Sequence, residues 1–302
     1  ATLTFTSGET GTGESLATVN VTGGAGADSI TGGTEISNFV GGGGADTFTF
    51  ATANLTSVDT VTGGDGADVL TMSDAATIID SDFTNIASVV NIDATGGANT
   101  ITLGSLADAT GIASIQGAAS AVDTVTVGAG FDNALSINLN AGNDVIDASA
   151  SSAAITIIAG ATQITADDTL KGGTGTGDII QLTAEEGSTA TFGASFTGFE
   201  TIGVTAATTQ QLKIVMGDAL SAGETITLTA AVLTGGSGEL DFDGSSEVEG
   251  SFNITGSAGA DTIKGGLGTD TLNGGADAAD VFYTYKGNDV VDFGETTGDR
   301  DK

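Results

Sequence analysis

The residues of this chain best suited to chemistry are aspartates set in glycine-rich turns. From Gly256 to Phe293 the sequence reads GSAGADTIK, GGLGTDTLN and GGADAADVF, with YKGNDVVDF close behind. Asp261, Asp270 and Asp280 follow at spacings of nine and ten residues, and Asp289 comes nine later. Two places after each stands an apolar residue: Ile263, Leu272, Phe282 and Val291. A turn with several positive-φ positions is cheap only for glycine. The aspartate then places a carboxylate among turn carbonyls, and the next three residues read as a short strand with its apolar side chain inward. Stacked turns of this kind offer only oxygen ligands, which suits Ca²⁺, and the short period marks a parallel β-helix. The candidate ligating positions are Gly259, Asp261, Gly266, Gly268, Asp270, Asp280 and Asp289. A flexible Gly-Asp linker would not hold the four apolar residues in phase.

A second block lies near the start. Gly24, Gly26 and Asp28 form one unit, Gly42, Gly44 and Asp46 another, and Gly64, Gly66 and Asp68 a third. Asp28 and Asp46 are 18 residues apart, or two nonapeptides, which places them on one edge; Asp68 follows after 22, so the rungs here are longer. Weaker candidates sit at Asp132, Asp144 and Asp178, in turns that keep the spacing or carry one insertion. Gly96-Gly97-Ala98-Asn99 has lost the charge.

The stretch Gly265-Gly266-Leu267-Gly268-Thr269-Asp270-Thr271-Leu272 meets G-G-x-G-x-D-x-U at every fixed position, as does Gly23 to Ile30. In these units the chain resembles the RTX family of exported bacterial calcium-binding β-roll proteins. The resemblance implies calcium as a folding ligand and an extracellular, cell-surface location reached through a type I system with an uncleaved C-terminal signal. Gly256 to Asp261 lacks the second glycine and Gly274 to Asp280 carries an extra residue, which leaves the ligand geometry of the last turn open. Asp292 to Lys302 resembles the start of the family's post-repeat segment, so the sequence reads as part of a longer polypeptide.

Composition narrows the remaining chemistry. In 302 residues there are 39 acidic side chains and six basic ones, a formal net charge of −33. Such a surface repels nucleic acid and anionic lipid and attracts multivalent cations. Without Cys or His there is no disulfide, thiol nucleophile, imidazole metal site or Ser-His-Asp triad. No apolar run approaches the roughly 18 residues of a membrane span, so membrane insertion is not expected. The adjacent pairs Asp167-Asp168 and Glu185-Glu186 would point to opposite faces of a strand and read as solvated loops, and no Trp offers a sugar platform. The 13 Phe residues read as core, and Thr-x-Thr strands such as Thr124-Val125-Thr126 read as outward Thr flanking an inward apolar residue.

The expected fold is all-β: a right-handed parallel β-helix or β-roll solenoid through residues 1–302. Residues 1–22 form a cap or first rungs, 23–71 calcium turns, 72–250 irregular rungs and 251–302 a C-terminal repeat block. Extracellular calcium sites bind at roughly 10⁻⁴ to 10⁻³ M, and a hundredfold excess of calcium adds about 2.7 kcal/mol per site. No enzyme activity is expected. The expected function is a calcium-dependent structural protein that assembles with itself into a surface layer, sheath or filament, in line with the Ala/Thr/Gly-rich composition of surface-layer relatives. Cell-surface polysaccharide is a further candidate partner. The alternatives are an adhesin or binding module, and the calcium-binding tail of a secreted enzyme.

Overall fold

The computed structural model describes residues 2–4, 18–206, 211–233, 238–275 and 279–293. Most of the expected N-terminal cap (residues 5–17), part of the last repeat (276–278) and the post-repeat segment (294–302) lie outside the described residues. The chain divides into two compact units, residues 1–138 with 148–153, and residues 139–147 with 154–302.

Each unit is a parallel β-solenoid. In the first, Ser29–Thr31, Thr47–Phe50, Val69–Met72, Asn91–Asp93, Ser114–Gln116 and Leu135–Asn138 pair in chain order, every pair parallel. A second wall is made by Thr18–Thr22, Ile36–Gly43, Thr60–Asp65 and Ile86–Ala87, and a third by Thr77–Ile78, Thr100–Leu103 and Thr124–Val127. In the second unit, Ile155–Gly160 begins a sheet that proceeds through Ile179–Ala184, Thr201–Ala206, Thr225–Thr229, Ser251–Thr255 and Thr271–Asn273 to Val290–Asp292. Facing it, Ser188–Phe192, Gln211–Met216, Glu239–Asp243, Thr262–Lys264 and Val281–Tyr283 pair in that order.

Register explains why this sequence makes rungs. Ile30, Phe48, Leu70, Ile92, Ile115 and Ile137 are aligned Cα partners and at most 2% exposed. Ile157, Ile180, Ile202, Leu228, Ile254 and Leu272 do the same in the second unit. Their sequence neighbours point outward, as the period of two requires. A one-residue slip would expose a whole column, so the register is strongly specified. Phenylalanines of neighbouring walls meet in the core: Phe192 and Phe196 lie 4.6 Å apart between ring centroids, and Phe242 meets Phe252 edge-on at 5.0 Å. The outward column through Thr31, Thr49 and Thr71 continues as Asp93, Gln116 and Asn138, so the run of Thr does not extend along the wall.

Candidate metal centre

The glycine turns place their aspartates at the rung corners, side chains inward. Asp28, Asp46 and Asp68 are 9%, 0% and 0% exposed. The three are linked as a ladder. The Asp28 amide donates to Asp46 Oδ1 at 2.8 Å, and the Asp46 amide donates to Asp68 Oδ1 at 2.8 Å. Asp28 Oδ2 accepts the Gly24 amide at 2.7 Å. Rung stacking carries Gly42 onto Gly64, at φ of 110° and 111°, the left-handed region that glycine tolerates best. Gly44 and Gly66 also take positive φ, whereas a Cβ on Gly26 would meet nothing within 4 Å.

At the other end the ladder splits between two edges. Asp261 accepts the Leu240 amide at 2.6 Å and its own amide donates to Asp280 at 2.8 Å. Asp270 accepts the Phe252 amide at 2.8 Å and donates to Asp289 at 3.0 Å. Within the turns, Ser257 and Gly266 donate their amides to the second oxygens of Asp261 and Asp270. Asp280 is buried and Asp289 half-buried; Gly259, Gly266 and Gly268 lie in the same stacked turns. Burial pushes the Asp261 carboxyl up to about 6 and raises those of Asp270 and Asp68 above the usual carboxylate range.

Two atoms decide whether a cation fits. Asp46 Oδ2 and Asp68 Oδ2 are buried and accept no hydrogen bond. A buried, unpaired carboxylate oxygen is costly. Each lies against the first glycine of its own turn, Gly41 or Gly63, where any Cβ would overlap it. Among the described residues no three acidic side chains converge on one point. A cation here would therefore take a few carboxylate oxygens and complete its shell with turn carbonyls. That all-oxygen donor set fits Ca²⁺. Asp46 and Asp68 would hold it, and the ion would supply the positive charge that the buried carboxylates lack.

Comparison with known families agrees. The family described as RTX calcium-binding nonapeptide repeat (4 copies) matches residues 21–52, 56–71 and 253–278. The chain carries RTX calcium-binding repeats. No curated protein and no solved structure matches the chain. The RTX repeat is a calcium-binding motif, generally structural or binding in role, and typical of secreted proteins. No helix among the described residues is long and apolar enough to cross a membrane.

Outside the matched RTX segments the ladder continues with altered chemistry. Asp144 is buried and its amide donates to Asp168 Oδ1 at 2.8 Å; Asp178 is buried, accepts the Ile155 amide at 2.7 Å and donates to Glu200 at 2.8 Å. Asn99, where the charge is lost, keeps its rung: it accepts the Ala76 amide at 2.8 Å and donates to Asp123 at 3.1 Å. Asp132 is exposed; its amide donates to Asp108 and its carboxylate accepts the Ser152 hydroxyl.

Several residues in these ladders escaped the sequence reading. Asp168 is no solvated loop residue: it is 4% exposed and accepts the Thr165 amide as well as the Asp144 amide. Asp59, 1% exposed, does the same with Thr56 and Ser37. Both sit in Thr-x-x-Asp, a local side-chain-to-backbone cap that the sequence does display. Glu247 is fully buried and accepts amides from Ala219, Leu220, Val248, Glu249 and Gly250. Burial would raise its pKa, but these amides outweigh it and hold the carboxyl below its usual value. Three of the six cations lie in cross-strand pairs: Lys171 with Asp147 at 2.8 Å, Lys264 with Asp243 at 2.7 Å, and Lys213 with Asp241.

Proposed function

We propose that this RTX protein is an extracellular, calcium-dependent structural element that assembles with itself into a surface layer, sheath or filament. The observation that carries the reading is the rung formed by Val281–Tyr283 and Val290–Asp292. One rung inside, Ile263 and Leu272 are fully buried; their register partners Phe282 and Val291 are only half-buried. Among the described residues no further strand pairs with either edge. Wherever such an edge is left uncovered, its backbone groups and apolar floor are a template for another strand. Head-to-tail contacts that do not close generate filaments or sheets. Lateral contacts between surfaces this acidic would need shared divalent cations, so assembly should depend on calcium beyond folding itself.

The test is light scattering and negative-stain imaging across a calcium titration, with folding followed in parallel by circular dichroism. Ordered assemblies that grow after folding is complete are expected. Folded protein that remains monomeric at millimolar calcium and high concentration would refute the reading.

A further inference from the structure

The outer face of the sheet from Ser188–Phe192 to Val281–Tyr283 gathers lysines, carboxylates and an amide on one surface. A cleft of about 370 Å³ opens there, and Gln211, Lys213, Glu239, Asp241 and Thr262 line it. These side chains are already paired with one another. Gln211 donates to Glu239 at 2.7 Å, Lys213 pairs with Asp241, and one position along the strands Lys264 pairs with Asp243 at 2.7 Å. Two of the six cations of the chain therefore stand on one face, each with its own carboxylate. The pairing fixes long side chains in place and leaves Glu239, held only by the neutral Gln211 amide, as the one uncompensated charge of the cleft. It presents ammonium and amide donors beside carboxylate and hydroxyl acceptors.

The two tyrosines of the chain adjoin the same face. Tyr283 is the register partner of Lys264 and points outward, 48% exposed. Tyr285, two residues further along the chain, is 54% exposed. Tyr285 holds a φ of 52°, a left-handed conformation that Gly or Asn would adopt at lower cost. Neither ring is needed to fill a core, and an exposed aromatic pair beside a polar cleft is a binding surface in composition.

We infer that this face binds a neutral glycan, its hydroxyls meeting the paired polar groups of the cleft and a sugar ring lying against Tyr283 or Tyr285. A polyhydroxylated, uncharged ligand suits the site because each hydroxyl both donates and accepts, and because both lysines of the face are already held by carboxylates, with the Glu239 charge left over to repel an anion. A polyanion would meet the field of a chain at −33. The absence of Trp removes the commonest sugar platform, but tyrosine offers the same flat, apolar face with a polar edge. The site faces outward from the wall, whereas the open rung offered for assembly uses the inward Phe282 and Val291; the two readings stand or fall separately.

The probes are dextran, mannan, galactan and xylan, with dextran sulfate as the charged comparison. The full chain, in calcium and below its assembly concentration, is run through native gels containing each polysaccharide. Without Trp, intrinsic emission comes from the two tyrosines, so binding should also change their fluorescence. At least one neutral polysaccharide should retard the chain. Tyr283→Thr combined with Tyr285→Asn, chosen to suit a strand and a left-handed turn, should weaken that retardation at least tenfold with circular dichroism unchanged. Gln211→Ala should weaken it several-fold. Retardation by none of the neutral polymers, by dextran sulfate alone, or equally of the tyrosine variant would overturn the inference. Calcium-dependent light scattering of the tyrosine variant should match the parent; loss of assembly together with glycan binding would also overturn it, by assigning the tyrosines to the contact between copies.

Discussion

At the residue scale, steric demand separates glycines that look equivalent in the repeat. The first glycine of each full unit carries no ligand role in the consensus reading, yet Gly23, Gly41, Gly63 and Gly265 all face the carboxylate of their own turn. Gly265→Ala should overlap Asp270 Oδ2 and destabilise by about 1–3 kcal/mol, the usual cost of overpacking. Gly26→Ala, at a consensus position with open space, should change stability by less than about 0.5 kcal/mol. Denaturant midpoints of the two variants in saturating calcium check the contrast. Asp261 makes a second prediction. Its carboxyl, 1% exposed, is raised by burial from 3.8 to about 6 in the metal-free fold. The folded state then holds a proton that the unfolded state has lost. In chelator, stability should fall as pH rises from about 4 to about 6, by up to about 3 kcal/mol from this group. With calcium bound the carboxylate is the favoured form, and the same rise in pH should stabilise. Chelator-treated protein with equal or greater stability at pH 7 than at pH 5 would contradict the burial of Asp261.

At the element scale, the rung corners are held by carboxylates that accept backbone amides, and only some corners are glycine turns. Glu247 binds five amides from two segments of chain, which no short sequence pattern announces: Ala219 and Leu220 lie 28 and 27 residues away. Glu247→Ala should leave these donors unpaired and cost about 3 kcal/mol or more, measured by thermal unfolding at fixed calcium. A loss below about 1 kcal/mol would show that water replaces the carboxylate. Legibility follows the range of the interaction. Asp28, Asp46, Asp68, Asp261 and Asp270 were readable because turn, ligand and inward strand residue lie within nine residues. Asp168 was misread because its partner Asp144 comes from a rung 24 residues earlier, and only stacking brings the two together. Asn99 shows the same limit: its lost charge reads as a dead turn, while its backbone and carboxamide still carry the ladder.

At the scale of the whole molecule, the parallel solenoid was legible from the phase of one apolar residue against one aspartate, repeated along the chain. The lengths of the irregular rungs were not, since corners such as Asp80–Phe83 and Ser105–Thr110 absorb variable numbers of residues. The polar cleft was equally invisible, because Gln211, Lys213, Glu239, Asp241 and Thr262 come from three strands and meet only through strand register. A net charge of −33 opposes compaction of each unit. Hydrogen bonds to buried carboxylates offset part of that repulsion, and the paired lysines a little more. The unpaired oxygens of Asp46 and Asp68 leave the remainder to a bound cation.

Far-ultraviolet circular dichroism during chelation and metal replacement tests that central claim most directly. β-signal should fall in chelator, return with Ca²⁺ and return poorly with Mg²⁺, which demands a tighter octahedron and sheds its water reluctantly. Asp46→Asn combined with Asp68→Asn should shift the recovery to higher calcium. A spectrum that is unchanged in chelator, or restored equally by both metals, would contradict the account.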